Sequence, residues 1–287
     1  MLVFIKSRLS ETLLLCQGNY MSIKALIFLF LLIFGLIFLF WAFKIEPNLL
    51  VIKHYHLKDK QLSGLRIVFA SDFHIGKKDI KRLKRIVKAI KKQQADLIFL
   101  GGDYLNGHTE QSTMSPKQIA KELSQLNAPY GIFGVLGNHD WYINGAKTKK
   151  SLQEAGITVL ENQNKIINFR NKQITIAGVA DKTTRTVNLK NTLDKTPEPR
   201  ILLTHTPDIF PDIKDSVNLV LAGHTHGGQV KIPFWGALIV PLEHGRRYAE
   251  GFIEENGKKM IVSKGLGTSR LPIRFNCKPE ILVIEFK

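Results

Sequence analysis

Residues 65–74 read LRIVFASDFH, an apolar run that stops abruptly at Ser71, Asp72, Phe73 and His74. Six residues of this kind, rich in β-branched and aromatic side chains, have the length and composition of a buried strand. Past His74 the period changes. Ile80, Leu83, Ile86, Val87 and Ile90 recur every three or four residues, set among Lys77, Lys78, Lys81, Arg82, Lys84, Arg85, Lys88, Lys91 and Lys92. That pattern predicts an amphipathic helix with a core-facing stripe and a cationic outer face. The unit then recurs. Residues 96–100 form a second apolar run, ending in Gly101, Gly102 and Asp103, and a helix is expected at about 116–127, where Pro116 suits the first turn. Residues 131–136 form a third, ending in Gly137, Asn138, His139 and Asp140. Such alternation indicates an α/β domain with helices covering a sheet.

The second half is richer in strands. Residues 166–169 and 174–179 flank 170–173 as a β-hairpin, and 251–263 reads as another, turning at Asn256 and Gly257. Residues 201–204 lead into His205, residues 219–222 into Gly223, His224, Thr225, His226, Gly227 and Gly228, and 281–286 alternates as a terminal strand. The expected fold is an α/β (α+β) four-layer sandwich, two packed mixed β-sheets flanked by helices. No repeat, low-complexity tract or Pro-rich linker cuts residues 60–287, so one domain is expected over 64–287.

Ahead of it, residues 25–43 are apolar apart from Gly35 and lie between Lys24 and Lys44, a length that spans a bilayer's hydrocarbon core. The run ends in Trp41, Ala42, Phe43 and Lys44 rather than in small residues fit for cleavage, so an uncleaved single-pass anchor is expected. Residues 1–24 then form a dispensable flank, with Met21 an alternative start, and 44–63 a juxtamembrane segment. Lys6, Arg8 and Lys24 precede the span, while Lys44, Lys53, Lys58 and Lys60 come after it. The count leans towards the cytoplasmic side of the membrane for the domain that follows. The basic face of 77–92 is either solvated or rests on anionic headgroups, at about 1 kcal/mol per charge. A formal charge of +17 favours an anionic partner: a phosphate-bearing substrate, a membrane surface or a nucleic acid. Two cysteines, Cys16 and Cys277, give no disulfide framework and read as free thiols.

Chemistry enters through where the polar residues fall. Five hydrophobic runs each end in a group able to bind a hard or borderline metal, at the strand ends where open α/β sheets place their sites. Asp72 and His74 are two apart, so an extended backbone would project both to one side. Asp103, at a Gly-Gly turn, offers a carboxylate able to bridge two ions. Asn138 adds a carbonyl oxygen, and His205, His224 and His226 add imidazoles, giving mixed O/N ligation without thiolate. Taken singly, DxH is a cap, GGD a turn, GNHD a loop and His205 a packed histidine. Independent caps and turns have no reason to succeed one buried strand after another in this way.

The DxH, GD, GNH-plus-acid, single His and GHxH pattern resembles the calcineurin-like metallophosphoesterases, over about residues 64–286. The resemblance implies two divalent cations, Mn2+, Zn2+ or Fe2+, one held by Asp72, His74, Asp103 and His226, the other by Asp103, Asn138, His205 and His224. It places His139 near the leaving group as a general acid or phosphate-stabilising cation, with Asp140 orienting it. GHTHGGQ and the closing GLGTS, Arg270, LPIRFN and PE stretch are similar to a bacterial membrane-associated branch, some members of which split the pyrophosphate of UDP-2,3-diacylglucosamine in lipid A assembly. Arg270 and Arg274 are the candidate phosphate clamps. Two other functions remain open from sequence: a nuclease or nucleotide phosphodiesterase, for which the anchor is a mild counter-argument, and a non-catalytic metal-binding scaffold.

Overall fold

The computed structural model describes residues 22–214 and 216–287; Lys6, Arg8, Cys16 and Met21, which bear on orientation, thiols and start site, lie outside the described residues. Two compact units meet between Trp41 and Ala42. In the first, helix α1 (Ile23–Phe40) is capped by Ser22, whose hydroxyl oxygen accepts the Ala25 N–H at 3.2 Å. No residue of α1 is buried, and among the described residues it belongs to the one helix long and apolar enough to cross a membrane.

The second unit is built on two six-stranded sheets. The first runs β1 (Val51–Leu57), β14 (Glu280–Phe286), β2 (Arg66–Ala70), β3 (Leu97–Leu100), β4 (Ile132–Gly134) and β5 (Thr158–Val159). The second runs β12 (Gly251–Glu255), β13 (Lys258–Val262), β9 (Leu219–Ala222), β8 (Arg200–Leu203), β7 (Lys172–Gly178) and β6 (Gln163–Phe169). Both sheets are mixed: in the first, β2, β3, β4 and β5 run parallel and β14 pairs antiparallel with β2, and in the second, β7, β8, β9 and β13 run parallel with antiparallel partners β6 and β12 at the edges.

The two-residue period of a strand decides which side chain goes where. Ile67 and Phe69 on β2, Leu97 and Phe99 on β3, and Leu219 and Leu221 on β9 point into the layer between the sheets. Their neighbours Val68, Ile98 and Leu100 face outward against helices α2 (Ile80–Lys91), α3 (Pro116–Leu123) and α4 (Asn138–Glu154). Val220 and Ala222 face outward from the second sheet, against the short α5 (Leu189–Leu193) and a 3-10 turn over Pro207–Asp212. Strands buried on both faces read as continuous apolar runs, and this is why they stood out in sequence. The stripe expected on 77–92 is the buried face of α2: Leu83, Ile86, Val87 and Ile90 are all in the core, each worth about 1.5–3 kcal/mol of burial.

Three features depart from the sequence reading. Residues 51–57, expected in a juxtamembrane segment, form an edge strand paired in parallel with β14, from Val51 opposite Glu280 to Leu57 opposite Phe286. Its exposed Lys53, His54 and His56 hide the strand pattern. The hairpin of β6 and β7 turns in two residues, Arg170 and Asn171, both with positive φ, rather than four. The third apolar run, read as a strand over 131–136, pairs only over Ile132–Gly134, and Asn138 already opens α4, with Gly137 as its N-cap.

Candidate metal centre

Every predicted ligand lies just past the carboxyl end of a strand: Asp72 after β2, Asp103 after β3, Asn138 after β4, His205 after β8 and His224 after β9. Asp72 and His74 do reach the same pocket, but not by strand alternation. The strand ends at Ala70, and both residues hold left-handed backbone angles, φ 54° and 40°. Asp103, His224 and His226 share this conformation, at 52°, 71° and 52°. Asp and His tolerate it better than bulky residues, yet each instance strains the chain, and such strain gathers at functional sites. Backbone bonds hold the loops in register: the Asp72 N–H donates to Gly102 O at 3.0 Å and the His74 N–H to Asp103 O at 2.9 Å. Gly102, with φ 91°, makes this approach possible, because a Cβ there would come within 2.6 Å of the Gly137 nitrogen.

Proton bookkeeping shows what the pocket is built to hold. His205 Nδ1 lies 2.8 Å from Gly101 O, which can only accept, so the ring's proton sits on Nδ1 and Nε2 presents a lone pair. That lone pair faces Asp103 Oδ2 at 3.3 Å, Asn138 Oδ1 at 3.2 Å and His224 Nδ1 at 3.2 Å. Acceptors crowded around one point call for a positive charge. Burial opposes a second proton on His205, yet the Asp103 charge and hydrogen bond, helped by Asp72 and Asp181, hold its pKa well above the usual value, so without a cation a proton on Nε2 takes the place of that lone pair. The other half of the pocket repeats the theme. His74 Nε2 and His226 Nε2 lie 3.0 Å apart, His74 Nε2 lies 3.4 Å from Asp103 Oδ2, and Asp72 Oδ2, His74 Nδ1 and His226 Nδ1 are buried without a hydrogen-bond partner. Burial, then His74 and Arg274, push the His226 pKa well below normal, so that ring stays a neutral ligand.

Ligand atoms of Asp72, His74 and His226 lie within 4.8 Å of one another, as do those of Asp72, Asp103 and His205 and those of His74, Asp103 and His139. A mixed O/N donor set of buried, mutually facing acceptors fits two divalent cations. Asp103 stands between the halves. Burial alone would raise its pKa, but His205 and then His74 outweigh that and keep the carboxyl ionised.

The expected contact between Asp140 and the His139 ring is not made. Instead the His139 Nδ1–H donates to Gly107 O at 2.8 Å, and Nε2 looks towards Ser269 Oγ at 3.4 Å. Asp140 accepts four backbone N–H groups, from Asp103, Tyr104, Leu105 and Gly137, and so braces the Asp103 loop against the start of α4. Burial and the Asp103 charge push its pKa up to about 7, with the N–H donors pulling the other way. Two further basic residues act from behind the pocket. Arg82, read from sequence as part of the outer cationic face, turns inward and donates to His74 O at 2.6 Å and to Asp79 at 3.0 Å.

Arg274, a candidate phosphate clamp, is fully buried and spends its guanidinium on carbonyls of Lys264, Gly265, Gly267 and Cys277. Those bonds shape the 264–267 loop, whose Leu266 and Gly267 N–H groups donate to Asp72 O. Arg274→Lys, with a point charge in place of the fork, should lower the unfolding free energy by about 2–4 kcal/mol in chemical denaturation of the full chain. Arg270 alone of the pair is exposed and lines the pocket.

That pocket is a cavity of about 470 Å³ with Asp103, Asn138, His224 and His226 on its floor. His108 and Tyr142, which sequence reasoning passed over, form one wall, their rings stacked at 5.2 Å with His139 beside them.

Comparison with known proteins agrees with this geometry. The calcineurin-like phosphoesterase family matches residues 65–228. The uncharacterized metallophosphoesterase YkuE of Bacillus subtilis is 34% identical over 258 residues, covering 86% of this chain and 89% of that one. A metallophosphoesterase of Aquifex aeolicus is 30% identical, covering 85% of this chain and 94% of its own length. Phosphodiesterase YaeI of Escherichia coli is 32% identical over 227 residues, 77% of this chain and 81% of that protein. With the family matched over more than half the chain and relatives aligned over most of their length, the protein belongs to the calcineurin-like phosphoesterases and is a hydrolase of phosphate esters.

Proposed function

We propose that the chain is a membrane-anchored phosphodiesterase or pyrophosphatase that uses two divalent cations, Mn2+, Zn2+ or Fe2+, and acts on a phosphate joined to a lipid, UDP-2,3-diacylglucosamine being the first substrate to test. The observation that carries the reading is the composition of the cavity. Its floor is ligand atoms, Arg270 stands at the rim, and Leu238, Ile239 and Leu271 make an apolar wall. A phosphate and a hydrocarbon fit there together. Asp72, His74, Asp103 and His226 would hold one cation, and Asp103, Asn138, His205 and His224 the other. When bound, such a pair neutralises phosphoryl charge and makes a nucleophile of water at neutral pH.

The chain's own groups do the rest. With Nδ1–H committed to Gly107 O, a second proton on His139 can sit only on Nε2. Burial holds the free imidazole below its usual pKa, while Asp103 pulls the other way; an arriving phosphate anion favours the charged form, which can hand its proton to the leaving oxygen. The His108 and Tyr142 rings offer a stacking face for a nucleotide base, and Arg270 can engage a second phosphate. The helix α1 supplies the anchor, and the cytoplasmic side is the proposed side for the second unit.

His139→Asn should separate the steps. Its kcat should fall about 100-fold on an alkyl phosphodiester, whose leaving alkoxide needs a proton, and less than about tenfold on a p-nitrophenyl ester, whose leaving oxygen is a weak base. Equal losses on both would remove the general-acid role. For the substrate, the full chain in detergent with Mn2+ is tested on UDP-2,3-diacylglucosamine, bis(p-nitrophenyl) phosphate and single-stranded DNA. Release of the two monophosphates from the first is expected. Aryl diester turnover with no lipid turnover would remove the lipid substrate and keep the hydrolase, and salt-sensitive cleavage of DNA would favour a nuclease.

A further inference from the structure

Beside the cavity, a two-stranded hairpin, β10 (Lys231–Ile232) and β11 (Gly236–Ala237), carries a turn that soluble proteins avoid. The Trp235 N–H closes the turn on Ile232 O at 3.1 Å, with Pro233 second and Phe234 third, at φ 65°. The third position of such a turn selects Gly or Asn, and a bulky aromatic residue there is strained. Phe234 is also fully exposed, and Trp235 is 66% exposed. A costly backbone angle that holds a phenyl ring out in water gains nothing for the fold. Next to the tip, Ile239 and Leu271 are 75% and 62% exposed. These two, with Leu238, also line the cavity, so one apolar surface runs from the hairpin to the metal site.

We propose that this hairpin is a bilayer-docking element: Phe234 and Trp235 enter the interfacial layer of an anionic membrane, and the mouth of the cavity meets the lipid there. Charge and side-chain type favour this occupant over a protein groove. Arg246 lies 5.8 Å from the Trp235 ring and donates to Trp235 O at 3.0 Å, and Arg270 is exposed beside Leu271, so two cations frame the aromatic tip. Lys231 adds no net charge, being paired with Glu250. Tryptophan is favoured at headgroup depth, and arginine beside it meets anionic headgroups. The inference deepens the amphiphilic-substrate reading and rests on it: a substrate held in a bilayer would reach the metal site along the wall that Leu238, Ile239 and Leu271 provide.

The test uses the full chain reconstituted in phosphatidylglycerol–phosphatidylcholine vesicles. Of three tryptophans, Trp41→Phe and Trp141→Phe leave Trp235 alone. Phosphatidylcholine brominated at mid-chain should quench Trp235 emission at least about twofold, and the vesicle should shield it from iodide. Emission untouched by bromolipid and open to iodide, as on a surface made for another protein, would overturn the proposal. Activity supplies a second arm. Phe234→Gly with Trp235→Ser, which relieves the strained angle and keeps the fold, should raise KM about tenfold for an amphiphilic phosphodiester in anionic micelles. Turnover of bis(p-nitrophenyl) phosphate should stay within about twofold. An unchanged KM on micelles would also overturn it. If the wild-type chain hydrolyses no diester with Mn2+, the hydrolase reading fails while the fluorescence still decides the docking.

Discussion

Asp103→Asn is expected to cut metal-dependent turnover of an aryl phosphodiester at least about 1,000-fold while the fold stands. One oxygen explains both halves of that outcome. Asp103 Oδ2 lies 3.4 Å from His74 Nε2 and 3.3 Å from His205 Nε2, so it faces both halves of the ligand set at once. An amide nitrogen there would present protons where a shared negative charge is needed. The second oxygen, Oδ1, accepts the His139 N–H at 2.9 Å, and an asparagine oxygen can do the same. Neither sheet depends on this side chain, so far-UV circular dichroism of the metal-free chain should match wild type, with thermal unfolding lowered only by loss of the charge that faces His205 and His74. Bound manganese, counted per chain after gel filtration, should drop from near two to one or fewer. His226→Ala removes a ligand from one half only and should also end turnover. Near-normal hydrolysis by both variants would defeat the two-cation assignment.

Much of this was legible because strands buried on both faces leave no polar residue inside the run, so the first Asp, Asn or His past each one stands out. Residues 65–70, 96–100 and 219–222 sit within a residue of β2, β3 and β9. Their order along the chain was enough to gather Asp72, Asp103, Asn138, His205 and His224 at one end of the sheets. What stayed hidden has physical reasons. β1 shows water Lys53, His54 and His56, so its pattern is that of a loop. The left-handed angles at Asp72, His74, Asp103, His224 and His226 arise from loops pinned to one another by long-range hydrogen bonds, which no local window contains. Arg82 and Arg274 look like surface charges until the carbonyls they serve are known. The Phe234–Trp235 tip did carry a local signal, aromatic residues between Pro233 and Gly236, where a turn should be polar.

Asp140→Asn makes the same chemical change as Asp103→Asn and should do the opposite: it should destabilise the domain by about 3–5 kcal/mol, whatever it does to the chemistry. Asp140 is fully buried. Its Oδ1 accepts the N–H groups of Tyr104 at 2.9 Å and Leu105 at 3.1 Å, and its Oδ2 those of Asp103 at 2.9 Å and Gly137 at 3.0 Å. Four donors converge on two acceptors. An asparagine has one oxygen, so its NH2 must face two of the N–H groups, and whichever pair is chosen loses its partner without gaining water. Each buried N–H left alone costs about 1–3 kcal/mol, and above pH about 7, where the carboxyl is ionised, the remaining bonds also lose the help of its charge. The donors come from the loop after β3 and the cap of α4, so the damage should appear as loosening of the strand-to-loop joint that positions Asp103. Hydrogen exchange at Tyr104, Leu105 and Gly137, together with equilibrium unfolding in urea with excess chelator, reads this without any metal or substrate. Stability within about 1 kcal/mol of wild type would show that Asp140 does not brace the loop.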